Sequence, residues 1–180
     1  MANPVKLMDE LGVSRALTRL SFEIVEKTDS PENLVLVGIK TRGVPMAKIL
    51  AEKIKEHGGP QLPVCELDIS FYRDDLTKVT EMPVVNKEPH FDVDITGKEV
   101  ILVDDVLYTG RTIRAAIEAV FSVGRPSKIG LAVLIDRGHR ELPIKPDYIG
   151  KNVPTSRKEY VKVSLNDPDG ITMVELFKKE

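Results

Sequence analysis

Apolar positions along the chain fall into two alternating patterns. Residues 34–39 (LVLVGI) form a short continuous apolar run, the mark of a strand covered on both faces. Residues 44–57 follow with Met46, Ala47, Leu50, Ala51 and Ile54 on one helical stripe, Pro45 in the first turn and Gly58-Gly59-Pro60 as a stop. The run 100–103 (VILV) repeats the strand pattern. Ile113, Ala116, Ile117, Val120 and Phe121 then mark a second helical stripe, closed by Gly124 and Pro126. Residues 128–135 predict a third buried strand. This alternation predicts an α/β fold with a mostly parallel sheet flanked by helices. Outside that core, 14–26 predict an amphipathic helix with Leu17, Leu20 and Ile24 inward, and with Arg15, Thr18, Arg19, Phe22 and Glu26 outward. The charged, Pro-containing stretch 72–92 predicts a long loop or a hairpin with mobile tips. The tail alternates at 160–163 and 171–174, as an antiparallel edge hairpin does.

Composition narrows the class. A chain of 180 residues with 42% hydrophobic content can bury one core, so 1–180 is expected to be a single domain rather than a disordered, collagen-like or disulfide-stapled chain. Its 26 Lys+Arg against 28 Asp+Glu leave a net charge of −2, so only a local basic patch could attract nucleic acid. Cys65 stands alone, so no intrachain disulfide forms. No stretch approaches the ~20 apolar residues of a membrane span, and no signal-peptide layout opens the chain. The expectation is a cytoplasmic protein without a membrane partner.

Parallel sheets bind ligands at the carboxyl ends of their strands, which directs attention to the residues after 39, 103 and 135. After 103 comes DDVLYTGRT (104–112), between a buried strand and a helix start. Two adjacent carboxylates there need a cation or hydroxyls beside them. Thr109, Gly110, Arg111 and Thr112 offer hydroxyls and backbone N–H groups at a helix N-terminus, a cradle for a phosphate. Carboxylates for ribose hydroxyls beside amides for phosphate describe a ribose-5-phosphate site. Taken alone, the Asp pair also reads as a helix cap and Thr109-Gly110 as a turn, but a cap does not explain why the set follows an apolar strand. After 39 comes the glycine-flanked Lys40, Thr41 and Arg42, which reads either as an exposed basic turn or as an anion loop. Neither a Walker loop nor a G-x-G-x-x-G fingerprint occurs.

Residues 100–112, VILVDDVLYTGRT, closely resemble the phosphoribosyl-pyrophosphate (PRPP) motif of type I phosphoribosyltransferases. The resemblance extends over nearly the whole chain to one branch, the PyrR family of bacterial pyrimidine-operon attenuation regulators that double as uracil phosphoribosyltransferases. RALTR (15–19), VGIKTRG (37–43), DISFYRDDL (68–76), DRGHRELP (136–143) and DYIGKN (147–152) carry it. It implies a type I phosphoribosyltransferase-like fold with a small hood and a C-terminal antiparallel hairpin. It implies transfer of ribose-phosphate from PRPP to N1 of uracil, giving UMP and pyrophosphate. Asp104 and Asp105 would hold the ribose hydroxyls and help order Mg²⁺, liganded mostly by PRPP oxygens and waters and not held by protein alone. Lys40, Thr41 and Arg42 would take the diphosphate, and Val106, Leu107, Tyr108, Thr109, Gly110, Arg111 and Thr112 would complete the PRPP loop. Arg73, on a lid, would reach a phosphate, or is an ordinary exposed arginine. Purine enzymes of this type usually carry Asp where this chain has Tyr108, which speaks for a pyrimidine. Arg137 would lie near the base, and Val161 would flank it or be a plain strand residue.

The same resemblance turns the outer face of the first helix into an RNA-binding candidate. Thr18, Arg19, His139, Arg140, Lys145 and Lys151 would grip a pyrimidine-operon leader RNA loop, with His139 stacked on a base and UMP or UTP as effector. Read from composition, that charged face is merely solvated. Two narrower readings stay open: a salvage enzyme without RNA binding, and a regulator without turnover. A homodimer or higher homo-oligomer is implied by the family.

Overall fold

The three continuous apolar runs form the middle of a five-stranded parallel sheet. The computed structural model describes residues 4–69 and 89–178. In chain order these form β1 (Val5–Met8), α1 (Glu10–Glu26), β2 (Leu34–Ile39), α2 (Gly43–Glu56), β3 (Val64–Leu67), β4 (Glu99–Leu107), α3 (Arg111–Val123), β5 (Lys128–Asp136), β6 (Tyr148–Asn152), β7 (Glu159–Ser164) and β8 (Met173–Lys178). The main sheet has the order β3-β2-β4-β5-β6, with every pairing parallel. Because side chains alternate along a strand, each run supplies both faces. Leu34, Leu36, Ile101, Val103, Ala132 and Leu134 pack with α1 and α2. Val35, Val37, Val100, Leu102, Leu131 and Val133 pack with α3 on the other side.

Several expectations shift. Helix α1 begins at Glu10 rather than 14, because Asp9 caps it through Gly12 N–H (2.8 Å). Strand β4 runs on to Leu107, so the Asp pair lies in the strand and not in the loop after it. In α3 the buried face is Ile113, Ala115, Ala116, Ala119 and Val120, whereas Phe121 is 44% exposed. Three of these five buried positions are alanines, and the aromatic ring stays on the outer flank. The tail strands are no edge of the main sheet. β8 pairs antiparallel with both β7 and β1 in a separate three-stranded sheet, which joins the α1 side of the core through Val163, Leu165 and Val174. The stretch expected as a loop at 72–92 lies outside the described residues up to 88.

Parallel pairing has one consequence for function. The ends of β2, β4 and β5, at Ile39, Leu107 and Asp136, open on the same edge of the sheet.

Candidate active site

At the end of β4, each aspartate turns back onto the next peptide. Asp104 Oδ1 accepts the N–H of Asp105 (2.9 Å), and Asp105 Oδ1 accepts the N–H of Val106 (2.8 Å). This fixes both carboxylates relative to the strand. Burial pushes the Asp105 carboxyl above the usual carboxylate range, while the Val106 N–H, the Asp104 side chain and the Arg42 charge pull it back. Both carboxylates line a cavity of about 470 Å³, whose other wall includes Lys40, Thr41, Arg42 and Asp68.

That opposing wall is the turn between β2 and α2, pressed against β4. A Cβ on Gly43 would lie 2.2 Å from the Val103 carbonyl oxygen, so only glycine lets the turn sit there. The Lys40–Thr41 peptide is cis. Lys40 N–H donates to Leu67 O (2.9 Å), and its ammonium lies 4.0 Å from Glu66. Arg42 donates from Nε and Nη2 to the two oxygens of Asp169 (3.0 and 2.8 Å). That carboxylate raises the Arg42 pKa above its ordinary value, against a smaller effect of burial. Arg42 thus stands between Asp169, in the turn after β7, and the Asp105 charge.

A second cavity, about 370 Å³, shares Asp104, Val106 and Thr112 with the first and is also lined by Leu107, Tyr108, Thr109, Gly110 and Arg111. Gly110 has φ +94°, a left-handed conformation that turns the chain from strand to helix. The N-terminus of α3 therefore faces this cavity, where a helix end favours an anion. The turn is braced from outside: the Thr109 carbonyl accepts the N–H groups of Glu141 (2.9 Å) and Leu142 (3.2 Å), and Arg111 Nε donates to Glu141 (2.9 Å).

The end of β5 is organised differently. The Arg137 guanidinium is buried, 4.0 Å from the Tyr108 ring centroid, and donates to Thr155 Oγ1 (3.1 Å), Ser156 O (3.3 Å) and Glu159 O (2.6 Å). His139 meets Tyr108 edge-on at 6.1 Å and hydrogen-bonds the Thr155 carbonyl. Arg140 donates to Ile144 O and Tyr108 O (2.9 Å each) and pairs with Asp136. Val161 lies in β7 opposite Leu176, half-buried against the core.

The expected RNA-facing residues fall into two groups. Thr18 and Arg19 lie on the outer face of α1, where Arg19 donates to Ile149 O (3.1 Å) and Gly150 O (2.6 Å) of β6 and pairs with Glu23. Thr18 Oγ1 donates to Ser14 O (2.9 Å), and Lys151 Nζ, on β6, reaches Leu7 O (3.2 Å). His139 and Arg140 belong to the inward network around Tyr108, and Lys145 is exposed. Arg73 lies outside the described residues. Sequence reasoning missed Asp169, Glu141, Asp136 and Thr155, which hold Arg42, Arg111, Arg140 and Arg137. Their only signal was charge or hydroxyl near a turn, and the partners are up to 127 positions away.

A family model described as a phosphoribosyl transferase domain matches residues 7–167. The bifunctional protein PyrR of Acetivibrio thermocellus is 55% identical over 176 residues, covering 98% of this chain and 95% of that protein. The chain belongs to the phosphoribosyl transferase family, in its PyrR branch. The bifunctional protein PyrR of Oceanobacillus iheyensis is 54% identical and is covered over its full length. Among solved structures, the hypoxanthine phosphoribosyltransferase of Trypanosoma cruzi superposes with a TM-score of 0.71 at 18% identity, covering 97% of both chains. That likeness shows the type I phosphoribosyltransferase fold shared by the PyrR branch. Among the described residues no helix is long and apolar enough to cross a membrane.

Proposed function

We propose that this chain transfers the 5-phosphoribosyl group of PRPP to N1 of uracil, releasing pyrophosphate, and that it binds pyrimidine-operon leader RNA under control of uridine nucleotides. The observation that carries the transferase reading is the facing of the Asp104–Asp105 strand end and the Lys40–Arg42 turn across one cavity. The regulatory half rests on 54–56% identity, over nearly the full chain, to proteins named bifunctional PyrR. In this reading residues 1–180 act as one domain, in the cytoplasm, as a homodimer or larger homo-oligomer.

Each residue then has a task set by charge. The α3 N-terminus with Thr109 and Thr112 takes the 5′-phosphate. Asp104 and Asp105 accept the ribose hydroxyls and face the ring as it gains positive charge. Lys40 and Arg42 meet the negative charge growing on the leaving diphosphate, with Thr41 beside them. Tyr108, Arg137 and Val161 shape the base side, and Arg73 would close over the phosphates. The two strand-end carboxylates offer hard oxygen donors, and no cluster of three metal-ligating side chains occurs among the described residues. That donor set fits Mg²⁺ shared with PRPP oxygens, near Asp104 and Asp105. When bound, the ion supplies charge neutralisation on the diphosphate.

One observation favours the narrower reading of an enzyme without RNA binding: Arg140 donates to Ile144 O and Tyr108 O and pairs with Asp136, and His139 Nε2 hydrogen-bonds the Thr155 carbonyl. An RNA face would then rest on Thr18, Arg19, Lys145 and Lys151. Two assays decide. UMP formation from uracil and PRPP tests the transferase. Titration with a leader hairpin, with and without UMP, across a salt series tests the regulator. Binding that UMP tightens and salt weakens supports it, and no binding under any nucleotide condition leaves the enzyme alone.

A further inference from the structure

The Arg42–Asp169 pair joins two parts of the chain that no sequence motif links. Asp169 sits in the turn Asn166–Asp169 between β7 and β8, two residues beyond the span matched by the family model. Its carboxylate is held before it meets the arginine: Oδ2 accepts the N–H of Leu165 (2.9 Å), and the Asp169 N–H donates to Leu165 O (2.8 Å). Leu165 is itself buried in the core. The acceptor is therefore anchored by backbone, not carried on a loose side chain. Arg42 meets it through the Nε/Nη2 edge of its guanidinium, the paired geometry that orients as well as attracts. Nη1 has no hydrogen-bond partner among the described residues, and Arg42 lines the cavity shared with Asp104 and Asp105.

The geometry points to Asp169 as a positioning residue for diphosphate binding: it clamps one edge of Arg42 so that the Nη1 edge faces the cavity. Two features require such a clamp. Arginine carries four rotatable bonds, and without a partner that freedom must be surrendered each time an anion binds. Asp105 lines the same cavity as Arg42, so an unclamped guanidinium has a competing carboxylate within the site. Asp169 holds it off that carboxylate. The small sheet thus takes part in the transferase site, through the turn between two of its strands.

This inference rests on the transferase reading for the identity of the anion, and its test is made independent of turnover. Inorganic pyrophosphate with Mg²⁺ is titrated calorimetrically into the full chain and its variants. Asp169→Asn, which keeps the shape and removes the charge, is expected to weaken binding about tenfold. Arg42→Ala weakens it at least as much, and the Arg42→Ala/Asp169→Asn double variant matches Arg42→Ala alone, because the carboxylate acts only through the arginine. Asp169→Glu restores part of the loss. In steady state, the KM for PRPP of Asp169→Asn rises while the KM for uracil stays constant. Unchanged or tighter pyrophosphate binding in Asp169→Asn overturns the proposal, as do additive losses in the double variant or a native chain that binds no pyrophosphate. Weakened pyrophosphate binding in a chain that makes no UMP upholds the clamp and sinks the uracil reading instead.

Discussion

Two strand ends on the same edge of the sheet carry similar charged residues and treat them in opposite ways. At the end of β5, the guanidinium groups of Arg137 and Arg140 are directed at carbonyls, a hydroxyl and Asp136, knitting 137–144 to 155–159 and to Tyr108. At the end of β4, and in the turn beside it, the carboxylates of Asp104 and Asp105 and the side chains of Lys40 and Arg42 line an open cavity. The first set builds a wall, and the second, though tied to Asp169 and to the backbone, borders a cavity. Charge at a strand end is therefore no sufficient sign of chemistry. What matters is whether the charged groups also border a cavity that a ligand can enter.

That contrast predicts opposite phenotypes. The largest effect belongs to the β4 end: Asp104→Asn or Asp105→Asn should lower kcat for UMP formation by about 10²–10³, with the fold retained by circular dichroism. Arg137→Ala should act through stability, since it removes the guanidinium's hydrogen bonds to Thr155, Ser156 and Glu159 and its packing on the Tyr108 ring; urea unfolding should show a loss of about 3 kcal/mol. A large stability loss in the aspartate variants, or none in Arg137→Ala, would break the comparison.

A finer test uses pH. Burial holds Asp105 above its unfolded value, so the native state binds that proton more tightly than the unfolded chain does. Stability therefore falls as pH rises from the ordinary carboxylate value through the raised one. Asp105→Asn removes that loss. In metal-free buffer the variant should melt above the native protein near neutral pH, and the gap should close below about pH 4. A gap independent of pH would mean that the charge is not what burial opposes. Such a gain in stability with a loss of activity is characteristic of a group kept for function.

The smallest expected effect lies on α1. Arg19 is about half exposed (49%) and pairs with Glu23, so Arg19→Ala should cost less than about 1 kcal/mol of stability. If the α1–β6 face binds leader RNA, the same variant should weaken binding and reduce the slope of log K against log salt by about 0.7. A slope unchanged by Arg19→Ala, but reduced by Lys145→Ala, would move the RNA contact away from α1.

Much of the frame was legible from pattern alone. The runs at 34–39, 100–103 and 128–135 are central strands because only a strand buried on both faces needs unbroken apolar sequence. The edge strands β3 and β6 and the outlying β1 were not read, since half-exposed four- and five-residue segments such as VCEL and YIGKN carry no such run. The position of the Asp pair at a strand end, and of a glycine-flanked basic turn at its neighbour, followed from the same rule. That these two meet across one cavity followed only from the parallel order β2-β4-β5.

By itself, then, the sequence determined the α/β frame and the branch of the family, because each is written in contiguous residues. Tertiary structure decided which charges were available. Arg137, His139 and Arg140 look like ligand-binding residues in the sequence, and the fold gives them partners at 108, 136, 144 and 155–159. Arg42 is held by a carboxylate 127 positions along the chain. A guanidinium satisfies its donors wherever the fold brings an acceptor within about 3 Å, and no local pattern records that distance.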